Sequence, residues 1–187
     1  MRVGTAFKRL LGIPGVSVAA VRFERDVVVV GLRLRRRRLV CARCGCVGRA
    51  GYDRRLRRWR HLDLARRRCF LEYALRRFVC PGCRRVVSEA VPWARPGARF
   101  TRAFEQLVAW LAQRSAFSVI SRLLRVTWRS VARIVGRVVA EARPRLDGLE
   151  RIGIDEISYR RGRRFLTVVV DHGSGRVVWV EGVRLPV

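Results

Sequence analysis

Two short cysteine pairs carry the clearest chemistry in this sequence. The first is Cys41-Ala-Arg-Cys44, followed by Gly45, and the second is Cys80-Pro-Gly-Cys83. Each pair has the C-x2-C spacing of a metal-binding knuckle, in which a tight turn aims two thiolates at one ion. The adjacent glycines and proline suit such turns. We therefore predict one tetrahedral Zn2+ bound by the four thiolates, with a β-hairpin filling the long interval between the pairs, as in a zinc ribbon.

Three other residues compete for roles near this site. Cys46 offers an alternative to Cys44, although C-x-C spacing suits a knuckle less well. His61 has the chemistry of a zinc ligand, but four thiolates already complete a structural site, so a structural or phosphate-facing role is favoured. Cys69 is predicted to be a small buried hydrophobic residue.

The charge of the chain restricts its partners. The 187 residues include 42 Lys+Arg and 14 Asp+Glu, for a formal charge of +28. DNA or RNA is therefore the leading partner, with an anionic membrane surface well behind. No apolar run is long enough to suggest a transmembrane helix, and the N-terminus does not resemble a signal peptide. We expect a cytoplasmic protein whose cysteine pairs bind metal instead of forming disulfides.

Short regular elements surround the cysteine pairs. The N-terminal region favours a short helix around Phe7–Leu11 and two strands, Val16–Phe23 and Val27–Leu34. Residues 57–64 and 66–78 alternate imperfectly between arginine and apolar side chains, which predicts the strands of the hairpin. Four consecutive arginines, Arg35–Arg38, lie just before the first pair and suit either a solvated segment or phosphate contact.

The pattern after residue 90 predicts a helix-turn-helix. Residues 91–98 contain two prolines and a glycine and are expected to form an irregular linker. Thr101 then precedes apolar residues at i, i+3, i+4 and i+7, which predicts an N-capped helix. A second short helix is expected to begin at Ser115 or Ser118. Thr127 is expected to cap a third.

The third helix is the candidate DNA-reading element, because the N-terminal part of such a helix enters the major groove. The candidate DNA-binding residues are Trp128, Arg129, Ser130, Arg133 and Arg137. The alternative is a three-helix bundle with a solvated arginine face. Arg125 stands at the turn position where glycine is usual, so we expect a strained or altered turn.

Three strands are predicted after residue 150, and the sequence 171–175 has the composition of a turn between the last two. Asp155 and Glu156 are neighbours in the first strand, so their side chains should face opposite sides of the sheet. Asp155 suits either a metal-binding carboxylate or an ion pair with an arginine, whereas Asp171 suits the turn. Three strands are marginal alone, which indicates the opening of a larger domain.

Taken in order, these motifs resemble the ISL3 family of bacterial insertion-sequence transposases. The resemblance covers about residues 40–182 and includes C-x2-C-G, C-P-x-C, RLLxVTWRSVxRIV, and GIDEIS followed by RRFLTVVVDHGSGRVVWV. It implies DNA transposition by a ribonuclease-H-like domain with a DDE site, in which Asp155 is the first of three acidic residues. It also implies Mg2+, because two carboxylate-held metal ions stabilise the attacking and leaving oxygens of phosphodiester transfer.

The resemblance sets further expectations. The second and third acidic residues of the family would lie beyond residue 187, so we expect this chain alone to be a catalytically inert, truncated transposase that retains DNA binding. A non-enzymatic zinc-containing DNA-binding regulator is the alternative, and an RNA-binding ribbon protein is a third. The expected partners are the terminal inverted repeats, as double-stranded DNA, and a second copy of the chain, with no membrane.

The predicted fold class is α+β with several modules. The predicted divisions are a β-rich N-terminal segment at 1–40, a zinc ribbon at 41–90, a linker at 91–100, a helix-turn-helix at 101–145 and the start of an incomplete ribonuclease-H-like domain at 150–187.

Overall fold

A computed structural model describes residues 3–49, 51–141, 148–160, 164–173 and 175–184. The chain divides into two compact units, Met1–Val138 and Val139–Val187. The predicted end of the helix-turn-helix at residue 145 lies outside the described residues. Helices and strands are both present, so the predicted α+β class is confirmed at this level.

The first unit is built on one long sheet. Its elements up to residue 90 are α1 (Val3–Leu11), β1 (Val16–Glu24), β2 (Val27–Leu34), β3 (Leu39–Val40), β4 (Val47–Gly48), β5 (Asp53–Leu64), β6 (Arg67–Cys80) and β7 (Arg85–Ser88). In the long sheet the strand order is β1-β2-β6-β5, and β7 also pairs with β6, whereas β3 and β4 form a separate two-stranded sheet. Strands β2 and β6 are parallel, whereas the other neighbours in this sheet are antiparallel. The predicted hairpin is confirmed, with strands longer than the sequence indicated.

The N-terminal strands belong to the same sheet as the hairpin between the cysteine pairs. Val27 of β2 lies opposite Arg68 of β6, and the pairing continues to Gly31 and Glu72. Apolar residues from both segments form a single core, including Val28, Val30, Leu32, Trp59, Leu71 and Leu75. The division predicted at residue 40 therefore falls between strands that share one sheet and one core.

The segment predicted as a linker has no helix or long strand, yet it packs against this core. Trp93 is buried, and its ring contacts Trp59 and Tyr73 edge-on at centroid distances of 5.6 and 5.4 Å. Ala94 and Ala98 are buried beside it. The segment thus joins the sheet to the following helices through packed contacts.

Three helices complete the first unit: α2 (Arg102–Ala112), α3 (Phe117–Leu124) and α4 (Trp128–Glu141). Thr101 caps α2 as predicted, because its hydroxyl accepts a hydrogen bond from the Phe104 N–H at 3.3 Å. The prediction that Ser115 or Ser118 begins α3 is wrong. The cap is Ala116, which adopts an extended conformation and has no side-chain bond to the helix.

The second unit contains an antiparallel sheet of β8 (Ile152–Arg160), β9 (Arg164–Asp171) and β10 (Arg176–Arg184), in the order β10-β9-β8. The predicted turn is confirmed, because the Gly175 N–H donates to the Asp171 carbonyl at 2.8 Å. Ile154 and Val177 are exposed large apolar residues on these strands.

Candidate metal centre and nucleic-acid interface

The four predicted ligands converge on one point. The first knuckle lies between β3 and β4, the second between β6 and β7. The Sγ–Sγ distances are 3.8 Å for Cys41–Cys83, 3.4 Å for Cys44–Cys80 and 3.5 Å for Cys44–Cys83. All four sulfurs lie within 4.8 Å of one another. Sulfurs about 2.3 Å from a tetrahedral Zn2+ stand about 3.8 Å apart, so the cluster fits a structural zinc ion.

Both knuckles have the same backbone turn. The Gly45 N–H donates to the Cys41 carbonyl at 3.1 Å, and the Arg84 N–H donates to the Cys80 carbonyl at 2.8 Å. The fourth position after the first cysteine is left-handed in each, with φ of 77° at Gly45 and 51° at Arg84. Glycine adopts this conformation without strain, whereas arginine does so at a cost. A glycine therefore marks this left-handed position in the first knuckle only.

Cys46 contacts the site without joining its ligand group. A Cβ atom on Gly82 would stand 2.7 Å from the Cys46 Sγ and 3.2 Å from the Cys44 Sγ, so only glycine fits at position 82. Among the described residues, the sulfurs close enough together to bind one metal ion are those of Cys41, Cys44, Cys80 and Cys83. The Cys46 sulfur is not one of them. Glycine is needed at position 82 because the second knuckle passes close to the Cys44 and Cys46 sulfurs. This explains the residue better than a need for a flexible turn does.

The pKa values of two thiols in the cluster, Cys41 and Cys83, are shifted in opposite directions. Burial opposes ionisation of Cys41, but hydrogen bonds from the Cys44 and Arg43 N–H groups and from neighbouring thiols lower its pKa to about 6. A hydrogen bond to Cys44, together with burial, raises the pKa of Cys83 to about 12. The two shifts are opposite in direction because these thiols share hydrogen bonds with one another. A bound zinc ion would replace the thiol protons.

His61 and Cys69 lie away from the cluster. The His61 Nδ1 is 2.9 Å from the Thr101 hydroxyl, so it joins the hairpin to the start of α2. Burial, and secondarily the charge of Arg60, lowers the pKa of His61. Cys69 is fully buried in the core, and burial raises its pKa to about 11. The surroundings of His61 and Cys69 therefore favour structural roles for both residues.

The turn before α4 has the left-handed residue that such turns require. Arg125 adopts φ 53° and ψ 48°, in the place where glycine is usual. Its guanidinium pairs with Asp63 and donates to the Arg66 carbonyl at 3.1 Å, so the turn is tied to the tip of the β5–β6 hairpin. This long-range contact had no signal in the local sequence.

The N-terminal turn of α4 presents most of the candidate DNA-binding residues to solvent. The Thr127 hydroxyl accepts from the Ser130 N–H at 3.2 Å, as expected for a cap, and it lies 2.9 Å from the Ser130 hydroxyl. Arg129 and Arg133 are exposed. Trp128 is 58% exposed, with its ring 5.8 Å from that of Phe117.

Arg137 differs from the other candidates on α4. Its Nη2 lies 3.1 Å from the Oε1 of Glu105, which is completely buried on α2. Arg95 holds the other oxygen of Glu105 at 2.7 Å. Arg137 therefore belongs to an internal ion-pair cluster that fixes α4 against α2. Sequence reasoning missed this cluster because arginine spacing alone does not identify an interior partner.

Asp155 lies in β8 opposite Val168 and is exposed. Its Oδ1 accepts from the N–H of Glu156 at 2.8 Å. Asp171 accepts from the Gly173 N–H at 3.0 Å, in accord with a turn role.

Within the described residues, the four cysteines are the single group of three or more potential metal ligands. In the described part of the chain, no helix is long and apolar enough to cross a membrane.

Two family models match successive parts of the chain. Residues 40–83 match the zinc-finger of transposase IS204/IS1001/IS1096/IS1165. Residues 89–139 match the helix-turn-helix domain of transposase family ISL3. The first range contains the cysteine cluster, and the second contains α2, α3 and all but the last two residues of α4.

Curated relatives match most of this chain but less than half of their own length. The transposase for insertion sequence element IS1557 of Mycobacterium tuberculosis is 46% identical over 191 residues, which covers 96% of this chain and 43% of that protein. The transposase for insertion sequence element IS1001 of Bordetella parapertussis is 27% identical over 174 residues, with 90% and 43% coverage. No solved structure matches the chain.

Proposed function

We propose that this chain, which belongs to the ISL3 family of transposases through its zinc ribbon and helix-turn-helix, recognises the ends of an insertion-sequence element as double-stranded DNA. The observation that carries the proposal is the exposed N-terminal turn of α4, where Arg129 and Arg133 extend from a capped helix after a left-handed turn. The match to a transposase helix-turn-helix over residues 89–139 supports the same role.

In this proposal α4 enters the major groove with its N-terminal end leading. Arg129 and Arg133 donate to guanine edges or phosphates, and the Ser130 hydroxyl contacts a phosphate. Trp128, whose ring is more than half exposed, packs against the sugar-phosphate backbone or a thymine methyl group. Arg137 acts mainly by holding α4 to Glu105, so it positions the reading residues instead of contacting bases.

Zinc has a structural role in the proposal. It closes the two knuckles at one end of β6, and the same strand lies at the centre of the sheet. The hairpin then supports the helix-turn-helix through Arg125, Asp63 and the His61–Thr101 contact. Since zinc binding energy in such sites is folding energy, loss of zinc should disorder the support for α4.

A binding selection tests the proposal. The zinc-loaded chain is mixed with a randomised library of 30-base-pair duplexes, and bound duplexes are amplified and sequenced over several rounds. We expect enrichment of one sequence that also occurs in the inverted repeats of the element encoding the chain. Arg129→Ala combined with Arg133→Ala should abolish the preference while leaving zinc content unchanged. Equal competition by structured RNA, or no enriched sequence, would contradict the proposal.

The second unit has a separate proposed role. The strands β8–β10 are proposed to open a ribonuclease-H-like domain, with Asp155 as the first DDE carboxylate. Its exposed position in a strand supports this, because a sheet gives a rigid carboxylate. Bound Mg2+ would supply activation of the attacking hydroxyl group. A chimera that joins this chain to the remainder of the Mycobacterium tuberculosis relative tests the role: Asp155→Ala should abolish strand cleavage but leave end binding intact.

Two finer features follow from the proposal. An element has two ends, so a homodimer that holds both at once is the proposed assembly, and sedimentation velocity with one or two end duplexes measures it. The cytoplasm is the proposed location, because it contains both genomic DNA and the reduced thiols that zinc needs.

A further inference from the structure

A pocket lined by arginine and phenylalanine lies beside the turn that leads into α4. It has a volume of about 430 Å3. The hairpin contributes Arg60, Arg68 and Phe70, the segment before α2 contributes Arg99 and Phe100, and the turn contributes Arg125. We call this site the Arg–Phe pocket. None of its residues was a candidate in the sequence.

Carboxylates neutralise only part of the charge in the Arg–Phe pocket. Arg60 and Arg125 share Asp63 as their partner. Arg57, at the rim, donates to the Ala98 carbonyl at 2.8 Å, which is a neutral acceptor. Within the described parts of the chain, Arg68 and Arg99 form no side-chain hydrogen bond or ion pair, and both are exposed. The pocket therefore holds more guanidinium than carboxylate charge.

The guanidinium groups also lie close enough to repel one another. Burial lowers the pKa of Arg57, and the charge of Arg99 lowers it further. Burial likewise lowers the pKa of Arg60; Asp63 opposes this shift, and the charges of Arg125 and Arg68 add to it. Charges that repel across a small cavity are all stabilised by one anion placed between them.

Aromatic rings hold the pocket in shape. The Arg60 guanidinium lies 5.6 Å from the centre of the Phe70 ring and 5.4 Å from that of Phe104. Phe100 stacks on Phe104 at 5.1 Å. These contacts fix Arg60 and exclude water from one side, which strengthens its attraction for an anion at the mouth.

The position of the pocket indicates which anion it receives. Val126 lines the pocket, and Trp128 begins α4 two residues later, so their Cα atoms are within roughly 7 Å. Phosphates recur about every 3.4 Å of axis along each DNA strand. A duplex whose major groove received α4 would bring its backbone close to Val126 and the pocket that it lines.

We propose that the Arg–Phe pocket binds a backbone phosphate of the same duplex that α4 reads, with Arg68 and Arg99 as the direct ligands. This inference rests on the proposed function and adds a second, sequence-independent contact to it. The contact fixes the position and orientation of the duplex on the hairpin, because phosphate contacts set register without reading bases.

The test compares the unsubstituted chain with an Arg68→Ala/Arg99→Ala variant. Affinity is measured by fluorescence anisotropy over a series of salt concentrations, on the duplex recovered by selection and on a random-sequence 30-base-pair duplex. Each lost phosphate contact lowers the steepness of log K against log salt by about 0.9. We expect a decrease of about 1, because one phosphate contact is lost, and the same factor of affinity lost on both duplexes.

The matched control is Arg9→Ala/Arg33→Ala, which removes the same charge from two exposed arginines on α1 and β2, outside the pocket. It should leave the slope unchanged, and all variants should retain zinc. An unchanged slope for the pocket variant, an equal change in the control, or an effect confined to the selected duplex would overturn the pocket assignment. If the unsubstituted chain bound neither duplex, the proposed function itself would fail, which is a distinguishable result.

Discussion

Arginines in the interior of the first unit and those on its surface have different partners. Inside, Glu105 is held by Arg95 and Arg137, and Glu89 is held by Arg76, with a Nε–Oε1 distance of 2.8 Å. On the outer face of α4, Arg129 and Arg133 are exposed, and in the described chain they have no carboxylate partner. Both groups consist of the same residue type in one very basic chain.

The difference shows that the few carboxylates decide which arginines are structural. A buried carboxylate without a cation is costly, so each interior one recruits a guanidinium and fixes it in place. The Tyr73 hydroxyl also donates to Glu89 at 2.9 Å, and burial followed by this carboxylate raises the pKa of Tyr73 to about 12. Arginines without such a partner keep their donors available for phosphate.

The largest predicted effect tests whether the interior depends on the cysteine cluster. Cys80→Ser should remove zinc and unfold the hairpin, because structural zinc sites contribute of the order of 10 kcal/mol to folding. Circular dichroism and metal analysis measure the two losses. Cys46→Ala is the matched control and should keep one zinc per chain, since Cys46 lies outside the four-sulfur group. Loss of zinc in both variants would reassign the ligands.

The next prediction removes the interior carboxylate that two arginines share. Glu105→Gln should lower the free energy of unfolding by about 3–5 kcal/mol, because two partly or fully buried guanidiniums lose their counter-charge. Urea unfolding of the zinc-loaded protein measures it. Glu24→Gln, at a half-exposed carboxylate 3.7 Å from Arg58, should cost less than about 1 kcal/mol. Similar losses for the two variants would remove the distinction between interior and surface pairs.

Arg133 and Arg137 are one helical turn apart on α4 and give the sharpest comparison. Arg133→Ala should weaken binding to the selected duplex by about 1–3 kcal/mol and change stability by less than about 0.5 kcal/mol. Arg137→Ala should instead lower stability by about 1–2 kcal/mol, since Glu105 loses one of its two cations. Urea unfolding and duplex titration of both variants measure the two quantities. The reverse pattern would show that Arg137 is the reading residue.

Local patterns predicted the parts of this fold that depend on neighbouring residues. The spacing of Cys41, Cys44, Cys80 and Cys83 identified the cluster, because two tight turns aim each pair of sulfurs. Thr101 and Thr127 identified the starts of α2 and α4, because their hydroxyls cap N–H groups only three residues away. Alternating side chains identified the hairpin, although β5 and β6 extend further than the pattern did.

Contacts between distant segments left no such pattern. The parallel pairing of β2 with β6 depends on a register between strands that are far apart in sequence. Proline and glycine made residues 91–98 look like a spacer, whereas Trp93 is buried against two aromatic rings. Arg84 and Arg125 occupy left-handed positions without the glycine that normally marks them.

The smallest predicted effect concerns these two left-handed arginines. Arg84→Gly should stabilise the fold by about 1 kcal/mol, because it removes the left-handed strain. Arg125→Gly removes the same strain but also the pair with Asp63 and the bond to the Arg66 carbonyl, so its net effect should be smaller. Urea unfolding of both variants, with the alanine variants as references for the side chain alone, measures the difference. An equal gain at both positions would mean that the contact between the turn and the hairpin adds nothing to stability.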